Sequence, residues 1–113
     1  MICLAMLLAA LLMSAAPIRP EPGSAKGVRT HTIEIRNFAF SPAMLEVAVG
    51  DTVVWVNRDA APHTATDSSK RWGSGELKSG AQWSWVAGKP ERLPYICEYH
   101  PAMRGEVIVR GSR

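Results

Sequence analysis

Only two cysteines occur among the 113 residues, Cys3 and Cys97. Cys3 lies in an apolar N-terminal run expected to be removed, so a disulfide framework is excluded. A mature exported chain would keep one lone thiol, which is unusual in an oxidising compartment unless something employs it. Charge of one sign is also scarce. Thirteen Lys and Arg against ten Asp and Glu leave a net +3. The basic residues are interspersed with acids, and the clustered patch that marks nucleic-acid binding is missing. A modest excess of this kind would at most steer an acidic redox partner. No internal repeat and no amphipathic helical stretch is present. The one apolar run is shorter than the roughly 20 residues a membrane-spanning helix needs.

That run, Ile2 to Met13, has the form of a signal-peptide hydrophobic region, and Ser14-Ala15-Ala16 has the small-x-small form of a cleavage site. No Lys or Arg precedes the run, and Pro17 follows the site directly, so cleavage after Gly23-Ser24-Ala25 is an alternative. An uncleaved anchor is the competing reading, and only then would the chain associate with a membrane. Residues 17–29 are rich in Pro, Gly and charge and read as a flexible leader. The expected organisation is therefore a signal peptide over 1–16, the leader, and one domain over 30–113, located in the periplasm. A domain this small buries only about 60–65% of its unfolded surface and often needs a disulfide or a metal. With the disulfide excluded, a metal is the remaining staple.

What the chain does contain is a succession of short strand patterns broken by turn residues. Thr32 to Arg36 alternates polar and apolar, Met44 to Val49 follows Ser41-Pro42, and Gly50-Asp51 precedes the β-branched and aromatic run Thr52 to Asn57. Ala81 to Val86 alternates between Gly80 and Gly88, Leu93 to Cys97 follows, and Gly105 to Arg110 closes the chain. Such spacing predicts an all-β sandwich or barrel. The two-residue period puts Val53 with Trp55, and Trp83 with Trp85, on faces expected to point into the core. Trp72, in the Gly/Ser-rich stretch 66–80, is expected to be partly exposed.

Four residues carry chemistry. Cys97, His100 and Met103 form a C-x2-H-x2-M run, and His63 lies in Ala60-Ala61-Pro62-His63-Thr64, thirty-four residues before the cysteine. Taken singly, each has an ordinary explanation: an inert buried thiol, a gap-filling thioether, turn histidines. Together they form a set of one thiolate, two imidazoles and a thioether. Zinc prefers four strong ligands or an open water position, and a thioether serves it poorly. A Cys/His/His set with a long axial Met favours copper cycling between Cu(I) and Cu(II). His31 is left over and is expected to be a solvated surface residue.

These motifs resemble the cupredoxins, and the amicyanin branch in particular. The resemblance rests on Gly50-Asp51-Thr52-Val53-Val54-Trp55-Val56-Asn57-Arg58-Asp59-Ala60-Ala61-Pro62-His63, on the short ligand loop ending Met103-Arg104-Gly105, and on Asn37-Phe38-Ala39-Phe40-Ser41-Pro42. It covers about 31–110. It implies a Greek-key β-sandwich of eight or nine strands and one type 1 copper held by His63, Cys97, His100 and Met103. Both histidines would bind through Nδ1, with an edge of His100 near the surface as the electron port. It also implies that Asn57 ties the two ligand loops together. Two departures stand out: Glu98-Tyr99 replaces the usual Thr-Pro between Cys and His, and Thr64 replaces the Asn that commonly follows the first His. Glu98 would either lower the potential or simply face solvent.

The function implied is a periplasmic one-electron carrier, not an enzyme and expected to be monomeric. It would work between redox proteins, a dehydrogenase donor and a cytochrome c acceptor among them. Pro101, Ala102 and Ala61 would dock the partner, rimmed by Lys70, Arg71 and Arg104. Copper storage or delivery is the alternative with the same ligands. A multi-centre copper enzyme needs several further histidines. A Cys97–His100 hydrolase would lack an orienting third group and leave Met103 unexplained.

Overall fold

The structure, a computed structural model, describes residues 27–112. The expected signal peptide and most of the leader lie outside these residues. Among the described residues eight strands form, in the all-β pattern expected: β1 Thr30–Arg36, β2 Ala39–Ser41, β3 Met44–Ala48, β4 Thr52–Asn57, β5 Thr66–Asp67, β6 Gln82–Val86, β7 Glu91–Ile96 and β8 Arg104–Arg110. They make two four-stranded sheets, ordered β2-β1-β4-β6 and β3-β8-β7-β5. β1 runs parallel to β4 and β3 parallel to β8, because the chain crosses between the sheets after β2 and again after β3.

Alternation decides which side of each strand is buried. In β1, Ile33 and Ile35 are fully buried while Thr32 and Arg36 face water. Val53 and Trp55 do the same in β4, and Leu93, Tyr95, Val107 and Val109 meet them from the other sheet. Tyr95 lies opposite Gly105 across the β7–β8 pair. A Cβ at Gly105 would run into the Tyr95 ring, so glycine here makes room for the aromatic.

One expectation holds in part and one needs correction. Trp83 and Trp85 face and pack against the core as expected, but are only half-buried. β6 is the last strand of its sheet, and what covers its inner face is Trp72 from the segment between β5 and β6. Trp72 stacks on Trp83 at 5.8 Å and on Trp85 at 5.7 Å between ring centroids. His31 is not simply solvated: its Nε2 lies 2.9 Å from Oδ2 of Asp51, which is fully buried. The Asp51 carboxylate also accepts the backbone N–H groups of Arg29 and Ala48, pinning the turn before β4. This pair stands where β1 and β4 begin, at the far end of the sheet from Asn57.

Candidate metal centre

The second ligand loop owes its shape to its spacing. β7 ends at Ile96, and the next three positions of interest, Cys97, His100 and Met103, have two residues between each. His100 N–H donates to the Cys97 carbonyl (3.2 Å), and Met103 N–H donates to the His100 carbonyl (2.8 Å). These are two successive β-turns, each with candidate ligands at its first and fourth corners. Cys97 N–H closes the loop on the Met103 carbonyl at 3.2 Å. The C-x2-H-x2-M pattern is thus the sequence form of a double turn.

The first loop is held by Asn57 and Leu77. Asn57 Nδ2 donates to the carbonyls of Ala61 and Leu77, both at 2.9 Å, and its Oδ1 accepts Asp59 N–H. His63 and Leu77 exchange backbone hydrogen bonds of 3.1 and 2.7 Å. His63 Nε2 meets Asp59 Oδ2 at 2.9 Å. A carboxylate beside Nε2 accepts that N–H, which holds the ring proton on Nε2 and leaves the lone pair on Nδ1. Burial pushes the Asp59 carboxyl up, but hydrogen bonds from the N–H groups of Phe38 and Asn37 and from His63 outweigh it and hold the group below the ordinary range.

The two loops meet at the thiol. Cys97 Sγ lies 3.7 Å from His63 Nδ1 and 3.8 Å from His100 Nδ1. The donor atoms of His63, Cys97 and His100 all fall within 4.8 Å of one another. An ion about 2.3 Å from sulfur and about 2.0–2.1 Å from nitrogen, with an opening of about 115–120°, would separate S and N by about 3.6–3.8 Å. The two S–N separations fit a trigonal metal, and both Nδ1 atoms face the sulfur. Met103 is buried in the same loop. His63 and Cys97 are fully buried, whereas His100 is half-buried and supplies the site's route to the surface.

The link between the loops is Thr64, not Asn57. Thr64 N–H donates to Cys97 Sγ at 3.3 Å, and its Oγ1 accepts Glu98 N–H at 2.8 Å. Asn57 spends its side chain on residues 59, 61 and 77, and none of those bonds reaches 97–103. A short hydroxyl side chain at position 64 reaches across because it is buried against the cysteine strand. Glu98 faces solvent, as does Tyr99, whose hydroxyl donates to Glu76 at 3.2 Å. Burial, with the nearby Glu76 charge and its hydrogen bond next, raises the Tyr99 phenol. Asp59 went unmarked as a partner in the sequence reading, although its place four residues before His63 was the available signal. Phe38 was quoted only as part of a motif, yet its ring touches both histidines.

Around the site Pro101, Ala102 and Arg104 are exposed and Ala61 is half-buried. Arg71 is elsewhere: it is bonded to Asp67 (2.9 Å) and to Glu91 (3.1 Å), at the end of β7 away from Cys97. It does not rim the docking patch.

A thiol and two imidazoles clustered at one end of a two-sheet β-sandwich, with a thioether in the same loop, are the donor set of the type 1 copper class of centre. The chain matches the cupredoxin-like domain over residues 2–109 and belongs to that family. Amicyanin from Paracoccus denitrificans is 33% identical over 82 residues, covering 68% of this chain and 63% of that protein. The chain thus spans a little under two thirds of that relative. A solved Cu(I) form of an amicyanin variant superposes with a TM-score of 0.68 at 30% identity, covering 78% of this chain and 87% of the other. A copper-containing nitrite reductase from Thermus scotoductus gives 0.69 at 26% identity, covering 88% of this chain but 24% of that enzyme. The cofactor that fits the donor set here is a single type 1 copper.

Proposed function

We infer that this protein is a periplasmic one-electron carrier that passes electrons between redox proteins and is not itself an enzyme. His63 Nδ1, Cys97 Sγ and His100 Nδ1 would hold the copper, with Met103 as the weak axial thioether. Bound copper supplies a Cu(I)/Cu(II) couple. The protein supplies rigidity: the ligand loops are hydrogen-bonded to each other and to the sandwich, so the site needs little rearrangement between oxidation states. The observation that carries this reading is the contrast in burial. His63 and Cys97 are sealed, while His100 alone of the three clustered donors reaches the surface. A carrier needs one conducting edge, and exposed Pro101 and Ala102 set apolar surface next to His100 in its loop.

The amicyanin and nitrite reductase relatives support copper chemistry on this fold. Export is supported by the apolar run at Ile2 to Met13. Partners would be a dehydrogenase as donor and a c-type cytochrome as acceptor, each meeting a monomer at the His100 end.

The test is protein-film voltammetry with stopped-flow oxidation of the reduced protein by a cytochrome c, run beside copper transfer to a chelator. A reversible one-electron wave, fast oxidation and copper loss slower than minutes are expected. Rapid copper release with no reversible wave would replace this reading with copper delivery.

A further inference from the structure

The hairpin between β1 and β2 turns on Asn37 and Phe38, with φ of 53° and 56°. Two central residues in the left-handed region make a type I′ turn, for which Asn-Gly is the favoured pair. Asn37 obeys that rule and Phe38 does not. A bulky side chain at positive φ is a genuine outlier, and such strain concentrates at functional sites. Burial does not compensate for it, because Phe38 is 52% exposed.

The ring explains what the backbone does not. It stands edge to face against His63 at 5.1 Å and 87°, and against His100 at 5.0 Å and 88°. The two imidazole centroids are 5.2 Å apart. The hairpin is anchored by the carboxylate that orients His63. Asp59 accepts Asn37 N–H at 2.7 Å and Phe38 N–H at 2.9 Å, besides meeting His63 Nε2. One carboxylate therefore fixes both an imidazole and the backbone from which the Phe38 ring projects. His63 is gripped by Asp59 and by burial. His100 sits half-buried on a surface loop, where Phe38 bears on its ring.

We propose that Phe38 is a positioning residue for the metal centre. Its ring bridges the two imidazoles, keeps His100 turned with Nδ1 toward Cys97, and shields the gap between the histidines from water. This rests on reading His63 and His100 as copper ligands.

The test uses the full chain as wild type, Phe38→Gly and Phe38→Tyr. Phe38→Gly creates the favoured Asn-Gly turn, so the metal-free protein should melt at the same temperature or higher. Its Cu(I) form should nevertheless lose copper to a chelator about tenfold faster, the factor two aromatic contacts together would supply. The His100 ring protons in the Cu(I) NMR spectrum should lose their ring-current shift. Phe38→Tyr should restore both. Unchanged copper loss and unchanged His100 resonances in Phe38→Gly would overturn the proposal. So would a fall in the melting temperature of metal-free Phe38→Gly, which would mark Phe38 as a fold residue. Failure of the wild type to develop a thiolate–copper absorption band would instead overturn the ligand reading beneath it, before any variant is compared.

Discussion

Replacing Thr64 by Val removes a hydroxyl with almost no change of shape. The hydroxyl is buried, accepts Glu98 N–H at 2.8 Å and lies 3.0 Å from Thr66 Oγ1. Thr64 N–H would still donate to Cys97 Sγ, so the variant isolates the side-chain link between the ligand loops. A buried donor stripped of its acceptor costs about 1–3 kcal/mol. Glu98 is exposed and its amide only partly buried, so water recovers some of that, and about 1–2 kcal/mol is expected. In a domain of this size each kcal/mol moves the melting temperature by about 4–8 °C, which gives a drop of about 5–15 °C for the metal-free protein. Thr64→Ser keeps the oxygen and should recover most of it. Thr66→Val leaves the Glu98 bond intact and should cost less than Thr64→Val. The assay is thermal unfolding by circular dichroism, repeated with copper. The reasoning fails if Thr64→Val melts within about 2 °C of wild type, half the smallest shift that 1 kcal/mol produces. It also fails if Thr64→Ser is as damaging.

Gly105→Ala should cost about 1–3 kcal/mol or more through overpacking, because the new methyl meets the Tyr95 ring. Near-ultraviolet dichroism should show Tyr95 displaced, and Tyr95→Leu in the same chain should recover part of the loss. Asp67 offers an acid limb. Its hydrogen bond from the Arg71 side chain, the largest influence, outweighs the upward push of burial and holds the carboxyl below its usual value. The folded value lies below the unfolded one near 3.9, so this stabilisation is complete above about pH 5 and lost as pH falls through the folded value. Urea midpoints of wild type and Asp67→Asn should therefore differ at pH 6 and converge toward pH 2. An equal gap at both would refute the pairing.

The strands that could be read from the chain are the long ones. β1 and β6 alternate polar and apolar residues, and β4 and β8 are rich in β-branched residues, so their side-chain pattern announces a sheet. β2 has three residues and β5 two, too few to display a period. β5 exists because Thr66 and Asp67 pair with Ile96 and Tyr95, a tertiary fact absent from the Gly/Ser-rich stretch in which it lies. The tryptophans of β6 face the core as their alternation says, but alternation does not report how fully that face is covered. At the metal centre, the double turn of Cys97, His100 and Met103 is local and hence legible. Thr64's link was not, because a hydroxyl bonding an amide thirty-four residues on leaves no spacing to detect; Asp59's pairing with His63 had a four-residue spacing, but its hold on a hairpin twenty-two residues back had none. Phe38 left no mark either: the two-residue turn that it closes is defined by β2, which shows only in the structure.

The central claim is that Cys97 binds copper as a thiolate between two imidazoles. The full chain should be titrated with Cu(II) and followed by visible absorption and electron paramagnetic resonance, with Cys97→Ser in parallel. The account predicts an intense blue thiolate-to-copper band and a small copper hyperfine splitting at one equivalent, both absent from Cys97→Ser. A colourless protein, or copper binding that Cys97→Ser leaves unchanged, would contradict it.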